Sequence, residues 1–188
     1  MKHLNYRRLA VAAAAAAVAV GVTALPAGAT SGTATITAGS LAFVSSPSTV
    51  AFSATLNGVD QSVTSPQSFD VSDATGSGSG WNITATSTTF TTTAPVHTLS
   101  TAATTVTGAP TDTCDASTTC VLATNAVAYP YTLPAAGAAP TATKLINAAV
   151  NTGMGNQTEV ATFHLSVPAS TFAGTYTSTW TYSLVSGP

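Results

Sequence analysis

From residue 30 onward, apolar and polar residues alternate with a period of two in segment after segment, which is the spacing of half-buried strands. Thr33–Thr37 is the first strand expected, and Leu41 with Phe43 begins a second. Val50, Phe52, Ala54 and Leu56 share one face of the next; Asn57-Gly58 then offers the positive φ angles of a two-residue hairpin turn into Val59–Thr64. Phe69 and Val71 are in phase in a further strand, and Trp81, Ile83 and Ala85 follow a run of alternating Gly and Ser. Toward the end, Ala161, Phe163, Leu165 and Val167 face one way until Pro168 stops the strand. After Gly174, Tyr176, Ser178, Trp180, Tyr182 and Leu184 oppose a row of Thr and Ser. Residues 108–140, rich in Pro and Gly, read mostly as connection, and Thr141–Val150 is the one stretch that fits a short helix as well as a strand. Many short strands separated by turn signals predict an all-β protein, an antiparallel β-sandwich with at most one short helix. There is no tandem period to suggest a solenoid.

The start of the chain changes this picture by assigning a compartment. Lys2, Arg7 and Arg8 precede an apolar run over Leu9–Val22, and Ala27-Gly28-Ala29 places small residues where a signal peptidase reads. Residues 1–29 are expected to be a secretory signal, and residues 30–188 a single domain large enough to bury its own core. The run is short for a bilayer span, so no membrane span is expected in the mature form. Export also changes the charge. Three of the four basic residues leave with the signal, so Lys144 stands against six acids, a mature net charge of −5. One lysine cannot displace counterions from a polyanion, which excludes nucleic acid and anionic membrane surfaces as partners bound by charge.

Cys114 and Cys120, the only cysteines, are close enough in an exported chain to read as a disulfide pinching a loop rather than as metal ligands. Asp70 and Asp73, just before the glycine-rich turn, offer oxygens at a spacing suited to Ca²⁺, although Asp more commonly caps its own turn. No other metal site and no cofactor is expected. Catalysis has little to work with: His97 and His164 are the only mature histidines, and no local motif sets either beside a nucleophile or selects a carboxylate pair. The protein is expected not to be an enzyme.

Two phrases carry a resemblance. Trp81-Asn82-Ile83 follows the glycine-rich turn, and Trp180-Thr181-Tyr182 lies near the end of the sequence after Ala173-Gly174-Thr175-Tyr176. Val71-Ser72-Asp73 and Val167-Pro168-Ala169 precede them. This layout resembles the WxL domain of Gram-positive surface proteins, with two Trp-x-Leu motifs, over roughly residues 33–188. Ile83 and Tyr182 stand where that family usually has Leu. The resemblance implies a secreted protein held non-covalently on the cell wall through peptidoglycan, with other surface proteins as further partners. It also makes Trp81, Ile83, Trp180 and Tyr182 the candidate wall-binding residues, while their phase with apolar neighbours reads equally as core packing. The hydroxyl row at Thr175–Thr181 raises an alternative, an ice-binding surface, and exposed strand edges raise another, a self-assembling fibre subunit.

Overall fold

The structure, a computed structural model, describes residues 31–188. The expected signal segment and its cleavage point before Thr30 lie outside the described residues. Among the described residues, the unit Ile36–Pro188 carries every strand, and Ser31–Thr35, which precede it in sequence, are exposed and carry none. Ten strands follow in chain order: β1 (Leu41–Phe43), β2 (Gln61–Asp73), β3 (Trp81–Thr88), β4 (Thr104–Val106), β5 (Thr111–Cys114), β6 (Tyr131–Thr132), β7 (Ala135–Ala136), β8 (Thr143–Ala148), β9 (Gly155–Val167) and β10 (Trp180–Ser186).

They form two sheets, as the alternation predicts. The larger runs β1-β2-β9-β4-β6, with β5 also paired to β9, and the smaller sets β3 between β10 on one side and β7 and β8 on the other. All pairings are antiparallel except β3 with β7. The long pair β2–β9 is the spine of the larger sheet, in register from Gln61↔Val167 to Asp73↔Gly155. Their inward residues, Phe69, Val71, Ala161 and Phe163, meet Trp81, Ile83 and Ala85 of β3 and Leu145, Ile146 and Ala148 of β8 in one buried cluster. At roughly 25 cal/mol per Å² of apolar surface, this interface is the main source of stability.

One open reading is resolved and several expectations are corrected. Thr141–Val150 holds no helix; its centre is strand β8, whose last four residues are all buried, and burial on both faces erases the period that would have identified a strand. Val50–Ser53 alternates as expected, with Val50 and Phe52 half-buried and Ala51 and Ser53 exposed, but Ala54 and Leu56 are exposed like Thr55, and the segment joins no ladder. The turn that follows is present, with Gly58 at φ +83° and Asn57 Oδ1 accepting from Val59 N, yet β2 begins only at Gln61, so no hairpin forms. Thr33–Thr37 is likewise exposed and unpaired. The final strand starts at Trp180 rather than near Tyr176, and only Thr177 before it makes a bridge, to Thr91. The hydroxyl row Thr175–Thr181 is therefore not one regular strand face. Among the described residues no helix is long and apolar enough to cross a membrane.

The expected disulfide is present: Cys114 at the end of β5 bonds Cys120, with Cα atoms 5.6 Å apart. It pins the loop beside the start of β9, where Asp115 N donates to Asn156 O.

Candidate functional site

Trp81 and Ile83 lie on β3, the central strand of the smaller sheet, and both are 0% exposed. The Trp81 indole N–H donates to Gly153 O at 2.8 Å. That pocket depends on glycine: Gly153 has φ +74°, and a Cβ there would lie 2.5 Å from Trp81 Nε1. Gly80, next in the chain to Trp81, also has positive φ and lies against the Ala148 carbonyl. Trp81 is a sealed core residue that no ligand can reach in this conformation.

Trp180 opens the edge strand β10 and is only half-buried. Its indole makes edge-on contacts with Phe163 at 4.9 Å, Phe90 at 6.2 Å and Tyr182 at 6.3 Å, and is tilted against Phe52 at 6.3 Å. Tyr182, also half-buried, packs edge-on against Phe69 at 4.8 Å. Such pairs are worth about 0.5–1.5 kcal/mol beyond their buried area. Beside Trp180 lies an open groove of about 670 Å³. Pro47–Val50 forms one rim, Tyr176–Thr181 supplies the other, and Phe90 and Tyr182 contribute to the lining. Thr177, Thr179 and Thr181 bring exposed hydroxyl side chains to that rim. A second groove, of about 580 Å³, shares Val50, Phe90 and Tyr176 with the first and continues along Phe52–Leu56 and Phe172. The unladdered Val50–Leu56 segment thus lines the second groove and meets the first at Val50, a role its alternation did not disclose.

Asp70 and Asp73 do not converge. They are three residues apart on β2 and so point to opposite faces. Asp73 Oδ1 caps the turn, accepting from Thr75 N at 3.0 Å and from Thr75 Oγ1 at 2.6 Å. Asp70 instead faces Asp115, and burial, followed by that like charge, raises its carboxyl above the ordinary range. A second acidic pair, which the sequence did not suggest, lies on the inner face of the larger sheet. Asp112 of β5 is directly opposite Glu159 of β9. Burial, then the Asp112 charge, pushes the Glu159 carboxyl up to about 8, and burial raises Asp112 against the N–H of Ala123 and Thr113 that lower it. No group of three or more His, Cys, Asp or Glu suited to a metal occurs among the described residues. His97 stacks on Phe172 at 3.9 Å, and His164 Nε2 meets Thr107 Oγ1 at 3.1 Å.

No curated protein and no solved structure was found to be similar to the chain. One family, described as WxL domain surface cell wall-binding, matches residues 26–188, most of the sequence. The match includes both tryptophan motifs and both grooves. With Ile83 and Tyr182 in the places of the usual leucines, the chain belongs to the WxL-domain family of surface cell-wall-binding proteins.

Proposed function

We propose that the protein grips the wall through the groove beside Trp180, with a glycan strand of peptidoglycan as the ligand, while Trp81 and Ile83 serve the same function only by holding the sandwich together. Membership of the family makes the protein a non-catalytic surface module that binds the cell wall. The observation that carries the assignment of the contact is the difference in exposure between the two tryptophans: Trp81 is sealed, and Trp180 borders an open groove. The groove pairs aromatic surface with a hydroxyl-bearing rim, and a sugar ring presents matching chemistry, apolar C–H faces ringed by hydroxyl groups. Small polar side chains on the rim can hydrogen-bond directly or through water without a net charge.

Pull-down of the mature protein on purified peptidoglycan sacculi tests this assignment. Trp180→Ala and Thr179→Val, each verified as folded by its near-ultraviolet circular dichroism, are expected to weaken retention. A folded Trp180→Ala protein that is retained like the wild type would remove the groove as the contact.

A further inference from the structure

We infer that Asp112, Gln157 and Glu159 form a binding site for a hard divalent cation, with calcium the expected occupant, on the inner face of the larger sheet between β5 and β9. The register places them together: Asp112 is opposite Glu159, and Cys114 opposite Gln157. Side chains directly opposite in an antiparallel pair stand on the same face with Cβ atoms about 4.5–5.5 Å apart. Gln157, two residues before Glu159, shares that face at about 7 Å. The register therefore puts three oxygen-bearing side chains on one face as neighbours, and calcium takes oxygen ligands at about 2.3–2.6 Å.

The hydrogen bonding of these side chains is incomplete in a way that points to a ligand. Gln157 is 0% exposed and Glu159 2% exposed, so neither can turn to bulk water. Within the chain, Asp112 Oδ1, Glu159 Oε1 and both amide atoms of Gln157 are buried and make no hydrogen bond. Asp112 Oδ2 is engaged by Ala123 N, which orients the carboxylate and leaves Oδ1 free. A buried carboxylate is held by a partner of opposite sign or by a metal, or is neutralised by a proton. Among the described residues there is no such partner: Lys144, the one Lys or Arg in them, is exposed on β8 and donates to Pro188 O at 2.6 Å.

A proton shared between the two carboxyls would reduce their repulsion but would leave the Gln157 amide oxygen unsatisfied. A hard cation engages all three oxygens at once, and calcium accepts amide and carboxylate oxygens together with water, so three clustered acids are not required. Two carboxylates give a weak site, within the roughly 10⁻⁴–10⁻³ M range of extracellular calcium modules, which suits an exported domain. The ion would tie β5 and the Cys114–Cys120 loop to β9, the spine strand.

The test uses the mature protein after EDTA treatment, with terbium as luminescent probe and calcium as competitor. Tyr129 lies close enough for the Glu159 charge to reach its hydroxyl, so excitation of tyrosine is expected to sensitise bound terbium. Calcium at about 10 mM, above the expected dissociation constant, should quench that signal and raise the melting temperature by several degrees. Glu159→Gln should abolish both responses, yet melt no lower than the wild type in EDTA, because a neutral amide needs no countercharge. Asp112→Asn, on the half-exposed short strand, is the second variant should Glu159→Gln fail to fold, with the same loss expected. Absence of terbium luminescence and of any calcium shift in the wild type would overturn the site, as would an unchanged response in the folded variants. A melting temperature that rises on acidification alone and ignores calcium would assign the pair to a shared proton and also overturn it.

Discussion

Trp81 and Trp180 open near-identical tripeptides, but the fold uses them differently. Trp81 begins β3, which has β8 and β10 on its two sides, and its indole closes against a glycine whose backbone leaves no room for a side chain. Trp180 begins β10, an edge strand with β3 on one side only, and its indole leans on a ring of aromatics while bordering a groove. The same local motif therefore seals one part of the domain and lines an opening in another. Position in the sheet, central or edge, decides which.

The largest expected effects lie on the sealed side. Trp81→Ala should cost about 3–5 kcal/mol, as for other fully buried aromatic truncations, and chemical denaturation would measure it. Gly153→Ala should be comparably damaging, because it combines a strained φ with an overlap on the Trp81 ring. Either variant should lose wall retention only in proportion to unfolding. A folded Trp81→Phe protein with normal stability but no retention would break the contrast between the two tryptophans.

Next comes a pH dependence set by Glu159. Its carboxyl is raised from 4.5 to about 8 in the folded protein, so folding favours the protonated form. The resulting stability is fully present below the unfolded value, near pH 4.5, and is lost as pH rises through about 8. In chelated buffer, denaturation midpoints should fall over that window by an amount equivalent to a few kcal/mol. Glu159→Gln should flatten the curve. Wall retention measured on folded protein should not follow this titration, because Glu159 lies in the sealed interior and the groove contains no acid.

How far the sequence discloses this arrangement depends on what each pattern measures. The second half of β9 is legible because Ala161–Val167 alternates cleanly, whereas β2 reads as two strands, Val59–Thr64 and the one holding Phe69 and Val71, because its inward face carries Ser65 and Gln67 between the apolar positions. Strand β8 is ambiguous because four consecutive buried residues show no period. Val50–Leu56 misleads for the opposite reason: alternation reports a half-buried extended chain and does not report whether a neighbouring strand exists to accept its hydrogen bonds. The tryptophan motifs are visible at once, but their unequal exposure requires the strand order. The Asp112–Glu159 pair requires the β5–β9 register, which no local spacing encodes.

On the open side, Trp180→Ala should cost less than Trp81→Ala, about 1–3 kcal/mol given the partial burial, but should reduce retention on sacculi the most of any folded variant. Removing the disulfide by Cys114→Ser with Cys120→Ser should destabilise by roughly 2 kcal/mol, the value for so short a loop, and should leave retention unchanged.

The smallest expected effect discriminates most finely between mechanisms of attachment. Residues 30–188 carry a net charge of −5 with Lys144 as their one basic residue, and that lysine is on β8, outside the residues that line either groove. If wall anions attracted the protein, added salt would release it, because screening shortens the reach of exposed charges from about 8 Å at physiological ionic strength to about 3 Å at 1 M. Aromatic contact and hydroxyl hydrogen bonds carry no such dependence, and repulsion between an acidic protein and an anionic wall diminishes as salt rises. Retention on sacculi should therefore hold steady or increase modestly from low to high salt, and Trp180→Ala should lower it at every point of the series. Elution of the wild type by moderate salt would place the contact on charge rather than on the groove, and so away from Trp180.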